Sequence, residues 1–516
     1  MALVLRGGRE ALPLQEFSRR TVPDLLDRSR AFGEDRFFLV DCAAPAPLSY
    51  ETFLRRVSAA AHGLLEHFAP QSRIACVMPN CLDYLVLRYS ISVAGMTEVA
   101  INTAHKGPVL RAMIELARPH AIIAADSLFE TIREAGGGEL LVSEWTRSAL
   151  LSSEASWSER PSAKIDPESP SRLLFTSGTS GRSKAVELSH ACEVYTGERH
   201  VDLLPIIKDD RWLYVTPMFH IDAVYIMSIL LHTGGSFAWT EKFSASRFWN
   251  DAANSASTYL CYVGAILPIL LKHGAPPQPH KLRYCVGGGA TAKQIAEFEN
   301  RFGIEVLEAY AMTECIACTF STSDSKKPGC AGKPVPGYEV AVAAETGEIL
   351  VRSREPCGIF SGYFGDAEAT SKAMRDGWFH TGDLGSLDED GFLTFRGRLK
   401  DAIRVKGENV SAQELEAIAE GHPDVEMAAA IAVPSELAED EILLYAEPKK
   451  GHPLLPESLS DHIRAAAARF MWPKYIRIVP SLPRTETQKV RKQELSRDIV
   501  SDVWQTPAVT APRPEP

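Results

Sequence analysis

The stretch Phe175-Thr-Ser-Gly-Thr-Ser-Gly-Arg-Ser-Lys184 follows a short apolar run, Arg172-Leu-Leu-Phe175, that reads as a buried strand. Its small or hydroxyl residues are Thr176, Ser177, Gly178, Thr179, Ser180, Gly181 and Ser183, set around Arg182 and Lys184. Small residues let the backbone approach an anion, and successive N–H groups form a concave nest for it. The hydroxyls add donors and Lys184 adds positive charge, a chemistry that suits a triphosphate. The loop is not a Walker A motif, because Gly181 is followed by Arg-Ser-Lys and not by Lys-Ser/Thr at the required spacing. A flexible Ser/Gly linker would share this composition. Placement directly after a strand, and before a run with helical character, favours the anion loop.

Outward from this loop the chain alternates. Toward the N-terminus, Thr21-Val-Pro-Asp and Leu48-Ser-Tyr-Glu-Thr-Phe each read as an N-cap opening an amphipathic helix. Ile74–Met78, Thr97–Ile101 and Ala121–Ala124 are strand-like, with helical spacing from Tyr84 to Val93. This order implies a parallel sheet covered on both faces. Residues 134–170 read as a long surface connection. Toward the C-terminus, strands are expected at Arg211–Thr216, Ser236–Thr240, Leu282–Val286 and Val306–Ala309. Polar or glycine-rich segments follow them: Pro217-Met-Phe-His220, Gly287-Gly-Gly289 and Tyr310-Ala-Met-Thr-Glu314. Ligands bind at the carboxyl ends of strands in open α/β sheets, so these segments can converge on one site. From about Cys330 the pattern changes to a small β-rich subdomain. Gly397-Arg-Leu-Lys-Asp401 reads as a junction to a compact α+β region. There is no internal repeat.

The chain has 516 residues, enough for more than one domain, and 45% of them are hydrophobic, ample for a large core. With 55 Lys+Arg against 66 Asp+Glu the net charge is −11, which argues against a broad nucleic-acid footprint. Ten scattered cysteines read as reduced thiols of a cytoplasmic chain. Cys315-Ile-Ala-Cys318 has no second ligand pair nearby and reads as two buried thiols, not a zinc site. The N-terminus lacks a signal-peptide core, and no apolar run reaches the roughly 18 residues of a membrane span. The Pro-rich residues from Thr506 are expected to be disordered.

Taken together, these segments resemble the acyl-adenylate-forming superfamily, over about residues 20 to 500. Within it, Pro217-Met-Phe-His-Ile-Asp222 and Glu241-Lys-Phe-Ser-Ala245 resemble the carnitine/crotonobetaine-CoA ligase type of AMP-dependent acyl-CoA synthetase. The resemblance implies an α/β fold. A large N-terminal domain of doubly wound sheets with a small β subdomain (1–398) would precede a small mobile α+β C-terminal domain (399–503) and the tail (504–516). It implies ATP, Mg²⁺ and coenzyme A as cofactors. A carboxylate would attack the α-phosphate of ATP, and the CoA thiol would then attack the acyl carbon of the acyl-adenylate. No protein nucleophile is needed, and no Ser-His-Asp or Cys-His signature is present. Catalysis would be positioning and charge stabilisation.

The resemblance also implies residue roles. Thr176, Ser177, Gly178, Thr179, Ser180, Gly181 and Lys184 would hold the β- and γ-phosphates. Thr313 would contact the α-phosphate. Glu314, helped by Thr176, would bind Mg²⁺, which prefers carboxylate and phosphate oxygens. Gly287, Gly288 and Gly289 would flank adenine and acyl group; read alone they are a tight βα turn. Tyr310 would stack on adenine. Asp383 would accept the ribose hydroxyls, although Gly382-Asp383 also reads as an ordinary turn. Arg398 would reach ribose or phosphates. Lys400 would be the hinge between half-reactions, and Gly407, Glu408 and Asn409 would line the pantetheine tunnel. Lys489 would bridge carboxylate and α-phosphate. His220 would sit at the mouth of the acyl pocket, or alternatively be a satisfied core histidine. An α-amino acid substrate is disfavoured, since His220 stands where amino-acid-activating relatives place Asp. Phe219, His220, Tyr225, Val263, Gly264, Gly288 and Ala309 would wall the pocket, which suits a hydrophobic acid. Whether the chain forms a homodimer is left open.

Three positions depart from the family pattern. Gln488 precedes Lys489 where Gly is usual, Ala185 follows Lys184, and Ala311 follows Tyr310. Gly reaches backbone geometries that Gln reaches only with strain. Two further readings therefore stand beside a complete ligase. One is an enzyme that only converts preformed acyl-adenylate to acyl-CoA. The other is a non-catalytic acyl-adenylate-binding protein.

Overall fold

The structure is a computed structural model. It describes residues 3–6, 8–44, 46–143, 147, 154–176, 183–264, 266–274, 279–399, 402–405, 408–434, 440–467, 469–485, 490–500 and 502–506. Two compact units emerge. The first comprises Met1–Ala341, Leu350–His380 and Asp388–Leu393; the second comprises Val342–Ile349, Thr381–Leu387 and Thr394–Pro516.

Two sheets build the first unit. In the six-stranded sheet the order is Gly362–Tyr363, Lys184–Ser189, Pro170–Thr176, Thr97–Ala100, Arg73–Val77 and Ala121–Ala124. The last four run parallel and the first two are antiparallel additions. The nine-stranded sheet has a parallel centre: Glu305–Tyr310, Tyr284–Gly288, Tyr259–Val263, Arg211–Tyr214, Ser236–Trp239 and Phe37–Asp41. Short antiparallel strands close its two edges. Every residue of Thr97–Ala100, Ala121–Ala124 and Ser236–Trp239 is buried, as expected for strands covered on both faces. The fold is therefore α/β, with parallel strands joined through helices.

The expected helix starts hold. Thr21 accepts the Asp24 N–H at 3.3 Å, and Ser49 accepts that of Thr52 at 3.2 Å. One expectation does not. The hydroxyl-rich loop is followed by a strand, Lys184–Ser189, and only then by the helix His190–His200. The strand folds back antiparallel on Pro170–Thr176, with Lys184 opposite Thr176. The helix begins where Ser189 can cap it, accepting the Cys192 N–H at 3.1 Å. The sequence reading also passed over Tyr259–Val263, a central strand of the large sheet.

A buried ionic cluster joins elements of this unit. Arg172, on the strand that enters the loop, donates to both carboxylate oxygens of Glu193 at 2.8 and 2.7 Å and also to Glu98. Arg88 lies 3.4 Å from the same Glu98. Burial alone would raise the Glu98 pKa, but Arg88 and Arg172 hold it below the ordinary carboxylate value. Burial would lower Arg172, and Glu193 and Glu98 raise it instead.

Short strands between Tyr338 and Arg398 make a five-stranded sheet, the β-rich element expected after Cys330. In the second unit, Val425–Pro434, Asp440–Pro448, Tyr475–Ile478 and Trp504–Gln505 form a four-stranded sheet in that order. Leu415 and Ala419 of helix Ala412–Glu420, with Leu459 and Ile463 of helix Pro456–Ala466, pack on its Ala428, Ala430, Leu444 and Ile476. No helix among the described residues is long and apolar enough to cross a membrane.

Arg172→Met would leave the buried Glu193 carboxylate uncompensated and Glu98 with Arg88 alone. It is expected to cost roughly 3–5 kcal/mol of first-unit stability, read as a lowered denaturant midpoint. Arg354→Met, which breaks the solvent-exposed pair with Glu339, is expected to leave that midpoint unchanged.

Candidate active site

Thr176 and Lys184 are cross-strand partners that close the base of the hydroxyl-rich loop. Ser177, Gly178, Thr179, Ser180 and Gly181 lie outside the described residues. The Lys184 ammonium sits 4.3 Å from the centre of the Tyr363 ring, a cation–π contact. The Tyr363 hydroxyl donates to Glu314 Oε1 at 2.9 Å. Glu314 is buried, and its carbonyl accepts the Phe360 N–H at 2.9 Å. Tyr363 is fixed in turn by its own backbone. It pairs with Val186 next to the loop, and its N–H donates to Thr370 Oγ1 at 2.9 Å. Lys184, over the ring, and Glu314, at the hydroxyl, thus both touch Tyr363, although 130 residues apart in sequence. Thr313 is half-buried beside Glu314.

The glycine run closes a second flank. Gly287 and Gly288 complete their strand, and a Cβ at Gly287 would come within 2.0 Å of the Tyr262 carbonyl oxygen. Gly289 has φ +91°, a left-handed conformation that side chains disfavour. The turn is held from below by Glu308. Its carboxylate accepts the N–H groups of Gly289 at 3.3 Å and Ala290 at 3.4 Å, together with the Tyr262 hydroxyl. Burial pushes the Glu308 pKa up to about 7, against the pull of those three donors. Tyr310, buried, ends the adjacent strand. The turn after it is pinned by the Cys318 N–H on the Tyr310 carbonyl at 3.0 Å. Cys315 and Cys318 are buried thiols outside any disulfide, with sulfurs 4.0 Å apart.

Pro217–His220 is positioned by residues the sequence reading did not single out. Asn80 donates to the carbonyls of Thr216 at 2.8 Å and Thr240 at 3.0 Å, and accepts the Met218 N–H at 2.7 Å. Arg88 donates to the Met218 carbonyl at 2.5 Å. His220 is solvent-exposed and occupies the N-cap position of the helix Ile221–Thr233, its ring against Phe219 at 4.7 Å. It is not a core histidine. Tyr225 on that helix is buried, edge-on to the His200 ring at 4.8 Å.

In the second unit Asp383 is buried with the Arg398 guanidinium 2.9 Å from Oδ1. The preceding turn is fixed by Gly382 N–H donating to Glu348 at 2.9 Å and Thr381 Oγ1 donating to the Ile349 carbonyl at 2.7 Å. Glu408 and Asn409 lie in a strand paired with Ala402–Val405. Lys400, Gly407, Gln488 and Lys489 lie outside the described residues.

The donor set suits Mg²⁺ brought in with a polyphosphate. Glu314 supplies a buried carboxylate and Thr176 a hydroxyl, both hard oxygen donors. No group of three or more His, Cys, Asp and Glu among the described residues could hold a metal alone. Such a cation would take its remaining ligands from phosphate and water.

Comparison with known proteins identifies the family. The profile of the family "AMP-binding enzyme" matches residues 26–364, and that of "AMP-binding enzyme C-terminal domain" matches 414–489. The chain belongs to the AMP-binding enzyme family. A probable CoA ligase, CCL9, from Humulus lupulus is 27% identical over 94% of this chain and 96% of its own. The crotonobetaine/carnitine–CoA ligase of Salmonella arizonae is 30% identical over 64% of this chain and 67% of its own. ATP-bound MatB from Rhodopseudomonas palustris superposes with a TM-score of 0.82 at 25% identity, covering 92% of this chain and 98% of MatB. This family member is an AMP-forming acid–thiol ligase by class.

Glu308 gives the family member a pH signature. Its folded pKa, about 7, is raised above the ordinary carboxylate value of 4.5. Its contribution to stability is then complete below about pH 4.5 and is lost as pH rises toward 7. The difference in unfolding midpoint between the native chain and Glu308→Gln is expected to change across this window and to be flat above it. A flat difference throughout would show that folding does not raise the Glu308 pKa.

Proposed function

We propose that the chain makes acyl-CoA from a hydrophobic carboxylic acid, ATP and CoA through an acyl-adenylate, with AMP and pyrophosphate released. The observation that carries this reading is the meeting of Lys184 and Glu314 across Tyr363 at the mouth of the hydroxyl-rich loop. A cation for phosphate oxygens and a carboxylate for Mg²⁺ are what adenylation asks of a protein that supplies no nucleophile. Bound Mg²⁺ would neutralise charge on the phosphates.

In this reading Thr176 to Lys184 receive the β- and γ-phosphates and Thr313 the α-phosphate. The Gly287–Gly289 turn and Tyr310 hold adenine. Asp383 and Arg398 hold the ribose, and Lys489 bridges the acid carboxylate and the α-phosphate. Residues 399–503 would turn about Lys400 between the half-reactions, and Gly407, Glu408 and Asn409 would then line the CoA tunnel. His220 stands at the entrance to an acyl pocket walled by Phe219, Tyr225 and Ala309. Phe219 and Tyr225 are buried aromatics on either side of the start of helix Ile221–Thr233, which supports an apolar acyl group.

Two reactions test the proposal by mass spectrometry. One holds the protein, CoA, MgATP and a panel of acids; the other holds the protein, CoA and synthetic acyl-adenylates. Acyl-CoA is expected in both, most from apolar acids. Product from the adenylates alone would assign the chain to thioester formation only and tie the lost step to Gln488. Product from neither would leave an adenylate-binding protein. Lys489→Ala is expected to slow the first reaction by roughly 10²–10³-fold and to spare the second.

A further inference from the structure

Tyr363 belongs to none of the segments that define the site in sequence, yet it touches two of them. Its place is determined by the fold. The strand Gly362–Tyr363 pairs antiparallel with Lys184–Ser189, at the edge of the six-stranded sheet. Glu314 follows the strand Glu305–Tyr310 of the nine-stranded sheet. The hydrogen bond from the Tyr363 hydroxyl to Glu314 Oε1, at 2.9 Å, therefore ties one sheet to the other at the point where phosphate-binding and cation-binding groups meet. The ring also packs edge-on with Phe360, centroid to centroid 5.1 Å, and the Phe360 N–H donates to the Glu314 carbonyl. Tyr363 is 8% exposed, so neither its ring nor its hydroxyl is a solvated surface group.

We propose that Tyr363 is a positioning residue for adenylation. Its hydroxyl orients the Glu314 carboxylate toward the cation, and its ring face seats the Lys184 ammonium. The two functions are separable by chemistry. A neutral hydroxyl donating to a carboxylate fixes that carboxylate's rotamer without cancelling its charge. An aromatic face attracts an ammonium without offering it a counter-ion, so Lys184 stays available to a phosphate. An Asp or Glu in place of Tyr363 would neutralise Lys184 and repel Glu314. The inference rests on the assignment of Glu314 to the cation in the proposed function.

The test uses the full chain with Tyr363→Phe, which keeps the ring, and Tyr363→Leu, which removes ring and hydroxyl. Binding of the unreactive analogue α,β-methylene-ATP is measured by calorimetry in EDTA and in MgCl₂. Tyr363→Phe is expected to bind the metal-free analogue like the native chain and to lose about tenfold of the magnesium-dependent gain. Tyr363→Leu is expected to weaken metal-free binding as well. In turnover, Tyr363→Phe should need more Mg²⁺ for adenylation while converting synthetic acyl-adenylate and CoA at the native rate. A native magnesium dependence in Tyr363→Phe would overturn the proposal. So would an equal loss of metal-free binding, magnesium gain and thermal midpoint, which marks packing alone. The binding arm needs no turnover. A native chain that formed no acyl-CoA would refute the ligase reading, and the effect of Tyr363 on magnesium-assisted binding would still be read.

Discussion

A fully buried arginine, Arg172, sets the terms for the first unit. It stands on the strand that delivers the hydroxyl-rich loop, and its charge is tolerable only because Glu193 and Glu98 surround it. An ion pair taken out of water gains little net stability over an apolar core, but it demands one geometry. Helix His190–His200, through Glu193, and strand Thr97–Ala100, through Glu98, must therefore stand where Arg172 requires. Arg88 extends the cluster to helix Leu82–Val93 and then, through the Met218 carbonyl, to the loop that carries His220. The strand that enters the hydroxyl-rich loop and the loop that carries His220 are thus referenced to one buried network.

The same logic governs the junction of the two sheets. Each sheet is apolar through its own layers, and hydrophobic packing alone leaves room for sliding because it is non-directional. Near the carboxyl ends of the strands the contacts become polar and directional. Asn80 closes three hydrogen bonds to the neighbouring sheet's loops, and Tyr363 closes one to Glu314. These hydrogen bonds have preferred distances and angles, so they fix the register of the two sheets where apolar packing alone would not.

Much of this was legible in the sequence. Apolar runs marked the strands because parallel strands are buried on both faces, and the motif segments fell at their ends. The strand Lys184–Ser189 was missed because its first residues belong to the loop by composition and its last, Ser189, caps a helix. Asn80, Tyr363 and Glu308 were missed for a different reason. Each is a single polar residue whose partners lie far away in sequence: 138 residues for Asn80 and Met218, 49 for Tyr363 and Glu314, and 46 for Glu308 and Tyr262. No periodicity or spacing rule reaches across such a gap. The CxxC pair reads in sequence as two buried thiols, and both are buried.

The three departures from the family pattern do not carry equal weight. A glycine is needed where φ is positive or where another backbone comes too close for a Cβ. Ala185 is in a regular strand opposite Phe175, almost fully buried, with φ outside the left-handed region. Its methyl group fills core space that a glycine would leave empty. Ala311 is exposed after Tyr310, also without positive φ. The left-handed residue of that segment is Ala317, where the turn brings Cys318 back onto the Tyr310 carbonyl. Neither alanine asks the backbone for anything it cannot adopt, so neither bears on adenylation. The functional weight of the departures falls on Gln488, whose neighbour Lys489 bridges carboxylate and α-phosphate in the proposed reaction.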